Sequence, residues 1–186
     1  APPFANPLLI STINNGFAKG GALYSPRIES LINPIVKFTK SVSKDIRSII
    51  AFTDYHTKES IELLSYPAHC IEDTIECEIV DELKSIDNIK IVKKNSTNGF
   101  FALDNLNFDN TDNIIIIGDC TDICIYQLAI TLKSYFNQNN INKHIIVPVN
   151  LVDTYNIDNV HPAELLNIVF LNSMIQNGIE VVKKIK

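Results

Sequence analysis

The sequence lacks the features by which several classes of protein are recognised. It has no basic cluster, and its formal net charge is -5, with 16 Lys and Arg residues against 21 Asp and Glu residues. This balance argues against a nucleic-acid partner or an anionic membrane partner. No apolar run approaches transmembrane length, and the N-terminal segment APPFANP lacks the basic and long apolar regions of a secretory signal. We therefore expect a cytoplasmic protein with no membrane partner.

Cysteine is scarce, and the glycine-rich nucleotide motifs are absent. The 4 cysteines do not make a disulfide scaffold in a chain of 186 residues, and they follow no zinc-finger spacing. Neither GxGxxG nor GxxxxGK[ST] follows any predicted strand, so a nucleotide-binding function loses most of its support. A reducing compartment is the default for such cysteine usage.

Strand-like and helix-like segments alternate along the chain. Apolar and β-branched runs predict six strands, over residues 7–13, 47–53, 90–92, 114–117, 143–149 and 179–182. Helical spacing predicts helices over residues 27–43, 74–83, 121–136 and 162–176, with Pro34 kinking or splitting the first. We expect one domain over residues 1–186. Its predicted architecture is a three-layer α/β fold, with a six-stranded, mainly parallel sheet in Rossmann-like order and helices on both faces.

The segment IIIIGDCTDIC joins a predicted buried strand to a candidate nucleophile. Four consecutive isoleucines at 114–117 are typical of a central parallel strand, which Gly118 ends. Thr121 and Asp122 fit a helix N-cap and first turn, so Cys124 falls in the first turn. There the positive end of the helix dipole is expected to lower the thiol pKa and favour the thiolate. The alternative is an unreactive core cysteine.

Polar residues follow the second predicted strand, at the edge where parallel sheets bind ligands. Asp54 and His56 lie two residues apart in an extended segment and project to the same side, so they can share a cation. Glu62 and His69 are further candidates from the same loop. Mixed oxygen and nitrogen ligands suit zinc, iron or manganese. The alternative is a solvated loop in which Asp54 caps a turn. The remaining histidines, His144 and His161, are interpreted as structural.

A lysine pair ends the third predicted strand. Because side chains alternate along a strand, one of Lys93 and Lys94 points into the crevice and the other points away. A lysine beside a thiolate lowers the thiol pKa and stabilises an oxyanion, although two solvated lysines are the usual case. In the turn that follows, Phe100 or Phe101 either closes over a flat ligand or belongs to the core.

Together these segments resemble the isochorismatase-like cysteine hydrolases, most closely their nicotinamidase (pyrazinamidase) branch, along nearly the whole chain. GDCTDIC at 118–124 resembles the nucleophile segment of that family. FTDYH at 52–56 and YPAHC at 66–70 resemble its metal-binding segments, and IVKKNSTNGFF at 91–101 the stretch with its catalytic lysine. The resemblance implies a metal-dependent hydrolase of NAD salvage that splits nicotinamide or a similar small amide through a cysteine thioester. It also implies a homo-oligomer.

The resemblance further implies the residues of the site. Cys124 is the implied nucleophile, and Lys94 is the implied catalytic lysine, with Lys93 as the fallback. The implied ligands of zinc, iron or manganese are Asp54, His56 and His69, joined in some members by Glu62. Phe17 and Tyr66 are the implied walls for a pyridine ring. The resemblance also implies a cis peptide between Asp119 and Cys120, with the backbone amides of Cys120 and Cys124 as the oxyanion hole.

One position departs from the family pattern. Family members carry an Asp near the end of the first strand, in VDMxNGF, where this chain reads STINNGF and has Thr12. In the family that Asp takes the thiol proton and returns it to the leaving amine, which a threonine hydroxyl cannot do near neutral pH. Asp119, where the family usually has an apolar residue, is a candidate substitute. Two other functions stay open: a binding protein that has lost turnover, and an isochorismatase-type hydrolase of another small substrate.

Overall fold

The structure is a computed structural model that describes residues 8–43, 48–103, 108 and 110–185. The strands are β1 (Leu8–Thr12), β2 (Ser48–Asp54), β3 (Ile89–Lys94), β4 (Asn113–Asp119), β5 (His144–Pro148), β6 (Val152–Asp153) and β7 (Glu180–Val182). The α-helices are α1 (Asn15–Ala18), α2 (Pro26–Val42), α3 (Asp81–Lys84), α4 (Tyr126–Gln138) and α5 (Ala163–Gln176). Pro7 and Arg47, the predicted first residues of the first two strands, lie outside the described residues, as does the rest of the N-terminal segment APPFANP.

The strands form one sheet in the order β3-β2-β1-β4-β5-β7, with β6 paired to β4 beyond the end of β5. Every strand pair among the described residues is parallel. The predicted parallel α/β fold is therefore confirmed, and all six predicted strands form. The additional strand β6 has only two residues, which is too short for a hydrophobic pattern to indicate.

The chain order reverses between β1 and β4. Strands β2 and β3 lie on one side of β1, whereas β4 and β5 lie on the other. At such a switch point the connections diverge and leave a crevice beyond the carboxyl ends of the two central strands, where open α/β sheets bind ligands. Thr12 and Gly118 are partners in register at this crevice.

The isoleucines of β4 divide between two hydrophobic cores, one on each face of the sheet. Ile115 and Ile117 pack with α2, whereas Ile114 and Ile116 pack with α4. This alternation follows from the two-residue period of a strand, and it explains why the run is apolar at every position. Helices cover both faces, as predicted. None of the described helices is both long and apolar enough to cross a membrane.

One helix prediction is wrong in detail, and of the two outcomes predicted at Pro34, a kink or a split, the split is not found. The predicted helix over 74–83 is a 3₁₀ turn at Ile75–Cys77 and, after an extended residue Glu78, the single turn of α3. The carbonyl of Glu78 accepts a 2.9 Å hydrogen bond from the amide of Asn15, so a tertiary contact takes a group that a continuous helix would use. The predicted split at Pro34 does not occur, because α2 continues through it.

Gly118 lets β1 and β4 approach each other closely. Its φ is +116°, and an added Cβ would lie 2.0 Å from the carbonyl oxygen of Thr12. Gly118→Ala is expected to lower the free energy of unfolding by more than about 3 kcal/mol, because the clash with backbone adds to the cost of the positive φ. Denaturant titration measures this loss. Gly20→Ala is the matched control, since φ there is +96° with nothing within 4 Å, and it should cost only about 1 kcal/mol. Equal losses would contradict the close approach.

Candidate active site

A cavity of about 490 Å³ opens at the carboxyl edge of the sheet, over the crevice between β1 and β4. Most of the residues predicted for the site line it: Thr12, Phe17, Asp54, Glu62, Tyr66, His69, Asp119, Cys120 and Cys124. Two others, His56 and Lys94, are buried behind this wall. The fold therefore brings together residues from the ends of four strands and from the long loop after β2.

Cys124 lies in a π-helical turn, Thr121–Ile125, between β4 and α4. Cys120 occupies the N-cap position and no side chain caps the turn, so the predicted cap at Thr121 is wrong. Burial raises the pKa of the Cys124 thiol to about 12, whereas the nearby Lys94 ammonium lowers it. Desolvation is the largest influence on this thiol, so its pKa is raised, opposite to the direction that the sequence predicted. A thiol in this state needs a proton acceptor before it attacks.

Lys94 is the lysine that enters the site. Its ammonium forms an ion pair with Asp54 Oδ1 and lies 3.8 Å from Cys124 Sγ. Burial alone lowers the pKa of Lys94, but its interaction with Asp54 raises it above the ordinary value of 10.5, so the group stays charged. Lys93 faces the other side of the strand and places its ammonium 3.6 Å from the ring centre of Tyr55. The strand alternation left open which lysine enters, and the structure selects Lys94.

Four side chains in and beside the cavity form a group that can hold a metal ion. One nitrogen or oxygen atom from each of Asp54, His56, Glu62 and His69 lies within 4.8 Å of the others. His56 Nε2 is 4.0 Å from Asp54 Oδ2 and 3.8 Å from Glu62 Oε1, and His69 Nε2 is 3.9 Å from Asp54 Oδ2. Three of the four come from the loop after β2, which sequence alone shows only as a long polar connection.

Hydrogen bonds orient both histidines toward this group. His56 Nδ1 is 2.9 Å from Asn95 Oδ1, and His69 Nδ1 is 2.7 Å from the carbonyl oxygen of Pro67. Because both partners accept, each Nδ1 carries the proton and each Nε2 presents a lone pair to the cluster. Metal-binding histidines in proteins are typically fixed in this way.

Each of the two carboxylates likewise has one oxygen bound by the protein and one oxygen that faces the cluster. Asp54 Oδ1 is held by Lys94, and Glu62 Oε2 accepts a 2.8 Å hydrogen bond from the amide of Thr97. This leaves Asp54 Oδ2 and Glu62 Oε1 for the cluster. His56 Nε2 and Glu62 Oε1 are buried and have no hydrogen-bond partner in the described part of the chain. Buried polar atoms normally have partners, so these unpaired atoms fit a site for a divalent metal. A set of oxygen and nitrogen donors suits zinc, iron or manganese.

Two predicted aromatic residues form the wall beside this cluster. The ring centres of Phe17 and Tyr66 lie 5.6 Å and 6.3 Å from that of His69, and both residues line the cavity. Phe100 is not among the residues that line it, and its ring packs against Tyr135 at 5.5 Å. The predicted contact of Phe100 with a substrate therefore has no support. The position of Phe100 fits the alternative prediction, in which this residue belongs to the core.

The turn before Cys124, the candidate nucleophile, contains the cis peptide bond that the resemblance implies. The peptide bond between Asp119 and Cys120 is cis. The backbone of Cys120 forms a hydrogen bond that lowers the pKa of the Cys124 thiol, so this amide lies beside the sulfur. The amide of Cys124 is in the first turn of a helical segment, where backbone N–H groups lack intrahelical partners. The two amides can therefore meet an oxyanion next to the sulfur.

Thr12 and Asp119 meet at the ends of β1 and β4. Thr12 Oγ1 donates a 2.6 Å hydrogen bond to the carbonyl of Asp119 and accepts a 3.1 Å bond from its amide. Asp119 is buried, and burial raises its pKa well above the usual value of 3.8. Asp54 raises the pKa of Asp119 further, whereas Lys94 lowers it. Thr12 thus binds backbone, and the carboxyl group of Asp119, on the neighbouring strand, lines the same cavity.

Sequence reasoning placed residues 12–17, and so Asn14, at this edge, but it missed Asn95, Thr97 and Tyr155. Asn95 and Thr97 follow β3, so the rule that ligands lie beyond strand ends could have found them. Tyr155 follows β6 and left no signal. His161 stacks on Tyr155 and bonds to Asp122, a structural role in agreement with its interpretation.

The parallel sheet and its switch-point crevice define the class of open α/β folds that bind small ligands beyond the carboxyl ends of their strands. Comparison with known proteins makes the assignment specific. The chain belongs to the isochorismatase family, because the model of the isochorismatase domain matches residues 7–182.

Relatives of known activity share this fold. The chain is similar to nicotinamidase 1 of Arabidopsis thaliana, at 26% identity over an alignment of 209 residues that covers 96% of this chain and 85% of that protein. The structure of a yeast nicotinamidase matches with a TM-score of 0.79 at 19% identity, covering 96% of this chain and all 100% of that one. N-carbamoylsarcosine amidase from Thermoplasma acidophilum matches with a TM-score of 0.78 at 20% identity, covering 97% and 99%. The chain is thus an isochorismatase-like hydrolase related to nicotinamidases at low identity.

Proposed function

We propose that the protein is a metal-dependent cysteine amidohydrolase that converts nicotinamide, or a similarly small amide, to the acid and ammonia. One observation carries the proposal: the Cys124 sulfur lies 3.8 Å from the buried Lys94 ammonium, in the same cavity as a four-residue donor set. A nucleophile, a fixed cation and metal donors around one cavity are the parts that a metal-assisted acyl transfer requires. Hydrolysis of nicotinamide would place the protein in NAD salvage in the cytoplasm.

The cavity walls bind and orient the substrate. Phe17 and Tyr66 both lie beside His69 and line the cavity, so their rings offer an apolar surface for a flat heteroaromatic substrate. Asp54, His56, Glu62 and His69 would hold a divalent metal, which would supply a coordination position for a ring nitrogen. Cys124 lines the same cavity, where its sulfur can meet the carboxamide of the bound ring.

The reaction itself belongs to Cys124 and the groups around it. The sulfur attacks the carboxamide carbon, and the amides of Cys120 and Cys124 donate hydrogen bonds to the oxygen that becomes negative. The charged Lys94 stabilises the thiolate. Ammonia leaves to give a thioester, and water then hydrolyses that thioester to the acid.

One observation favours a second candidate. The Thr12 hydroxyl is committed to the Asp119 backbone, so β1 provides no proton acceptor, and a binding protein without turnover is the alternative. A different small substrate is a further possibility on this fold, since it is shared with an N-carbamoylsarcosine amidase.

Ammonia release from nicotinamide by zinc-loaded protein tests the proposal. We expect release that stops on chelation and returns with metal. Tight nicotinamide binding in calorimetry without ammonia, together with activity created by Thr12→Asp, would instead establish the binding protein.

Metal content provides the matched control for this assay. His69→Ala removes one of the four donors and is expected to lower bound metal to a small fraction of the parent value, because lost ligands reduce metal affinity sharply. His144→Gln changes an exposed histidine that pairs with Glu180, and its metal content and ammonia release should equal those of the parent. Equal metal content in both variants would contradict the assigned ligand set.

A further inference from the structure

The proposed chemistry needs a proton acceptor beside Cys124. Among the described residues that line the cavity, the carboxyl groups belong to Asp54, Glu62 and Asp119. Asp54 is paired with Lys94, and Glu62 accepts from a backbone amide while facing the donor cluster. Asp119 is the carboxyl group of this wall that neither the ion pair nor the donor set uses.

The side chain of Asp119 is poorly satisfied where it lies. Its Oδ1 is buried and has no hydrogen-bond partner among the residues that the structure describes. A buried carboxyl oxygen without a partner is costly and calls for an explanation. The cost is smaller when the group is protonated, and the raised pKa of Asp119 reflects this. A carboxyl group whose pKa is raised by burial holds a proton more readily than an exposed one, as a group that accepts and returns a proton must.

Asp119 also interacts with the nucleophile. Both residues line the cavity, and the negative charge of Asp119 is one of the influences that raise the pKa of the Cys124 thiol. The other charged groups that act on Asp119 are Asp54 at the end of β2 and Lys94 at the end of β3. The Cys124 sulfur and the Asp119 carboxylate therefore belong to the same cavity wall and influence each other electrostatically.

Thr12 fixes the residue that carries this carboxyl group. Its hydroxyl bonds to the carbonyl and to the amide of Asp119 at 2.6 Å and 3.1 Å. These two bonds hold the end of β4 against β1, so that the backbone from which the carboxyl group projects is fixed on both sides. Thr12 acts through Asp119 and is a positioning residue.

We propose that Asp119 is the acid–base residue of this site, taking the proton of the Cys124 thiol and returning it to the leaving amine. This inference rests on the proposed amidohydrolase function. The acid–base carboxylate then stands on β4, directly before the nucleophile turn, and the end of β1 supplies the hydroxyl that holds it.

The proton and electron balance closes over the cycle. The thiol proton passes to the Asp119 carboxylate as the sulfur forms a bond to the carboxamide carbon and the π pair moves to oxygen. When the tetrahedral adduct collapses, the C–N bond breaks and the nitrogen takes the proton from Asp119, leaving as ammonia. Asp119, again ionised, accepts a proton from the water that attacks the thioester, and the departing sulfur of Cys124 recovers it. The sum is amide plus water to acid plus ammonia.

Asp119→Asn tests the proposal with two substrates that differ in their leaving group. Nicotinamide hydrolysis should fall by about 10²- to 10⁴-fold, the usual contribution of general acid–base catalysis. The p-nitrophenyl ester of nicotinic acid has a leaving group that needs no proton. The factor by which its hydrolysis rate falls should therefore be at least tenfold smaller. A role limited to structure would reduce both rates equally, and that result would overturn the proposal. Asp122→Asn, which changes a carboxyl group of the same turn that bonds to His161, should not separate the two substrates.

A second measurement needs no substrate. The pH midpoint for alkylation of Cys124 by iodoacetamide should move to lower pH in Asp119→Asn, because a negative charge that opposes the thiolate is gone. An unchanged midpoint would show that the carboxyl group does not face the sulfur and would overturn the proposal. If the parent protein releases no ammonia but Asp119→Asn still lowers the midpoint, the amidohydrolase function would be rejected and the Asp119–Cys124 proton pair would be supported.

Moving the carboxylate across the crevice completes the test. The double variant Thr12→Asp with Asp119→Asn is expected to hydrolyse nicotinamide at least tenfold faster than Asp119→Asn alone. The reason is that the two positions adjoin through the Thr12–Asp119 contacts. Recovery supports a carboxylate at this edge as the missing function. Wild-type activity in Asp119→Asn, or a loss in that variant that Thr12→Asp does not recover, would overturn it.

Discussion

Cys124→Ala is expected to reduce ammonia release from nicotinamide by at least about 10⁴-fold, since removing the nucleophile of a covalent mechanism removes the pathway itself. The structure gives three reasons to expect so large an effect. Cys124 opens on the cavity, the Lys94 ammonium lies 3.8 Å from its sulfur, and the amide of Cys120 is directed to it. Without the sulfur these groups have nothing to activate.

The control is a cysteine outside the cavity. The Cys77 thiol is buried and bonds to the carbonyl of Ile71, so Cys77→Ala should keep nicotinamide hydrolysis within about threefold of the parent, as expected for residues that do not act on the substrate. Mass spectrometry of acid-quenched parent protein should find the acyl group on the peptide that contains Cys124. Activity of Cys124→Ala within tenfold of the parent would mean that water attacks the amide directly.

The fold was predictable because its determinants are local in sequence. Four consecutive isoleucines in β4 must reach two cores, since side chains alternate across a sheet, and the structure divides them in this way. Regular alternation of such strands with helices leaves few topologies other than a parallel sheet. The predicted helix over 74–83 failed because its backbone is held by a hydrogen bond between Asn15 and Glu78, residues that are far apart in the sequence.

The site was predictable to the extent that strand ends locate it. Asp54, Lys94 and Cys124 each follow a predicted strand, and the shared edge of a parallel sheet brings them together. What a strand end cannot show is its environment. The pKa of Cys124 depends on how far the cavity desolvates the thiol, and burial reversed the expected direction.

Thr12 shows the same limit more sharply. In sequence it is a substitution at one position, and its consequence depends on a partner 107 residues away. Only the register of β1 against β4 shows that its hydroxyl holds Asp119. A departure from a family pattern can therefore be interpreted only once the neighbouring strand is known, and here the neighbouring strand carries a carboxyl group, that of Asp119, at the same edge.

Lys94→Met is expected to lower nicotinamide hydrolysis by about 10³-fold or more and to destabilise the metal-free protein by about 3–5 kcal/mol. The first effect follows because the ammonium beside Cys124 Sγ is the cation that stabilises the thiolate. The second follows because Lys94 and Asp54 form a fully buried ion pair, and removing one partner leaves the Asp54 charge unpaired. Chemical denaturation and ammonia release measure the two effects on the same preparation.

Lys93→Met is the control, because it is the same substitution one residue earlier on β3. The Lys93 ammonium lies over the ring of Tyr55 on the exposed side of the strand, where a cation–π contact is worth about 0.5–1 kcal/mol. Its activity should equal that of the parent. If the two variants lost activity equally, the distinction between a buried and an exposed lysine would have no catalytic meaning. If only Lys94→Met lost it, the buried Asp54–Lys94–Cys124 contacts would be established as the part of the site that makes the sulfur a nucleophile.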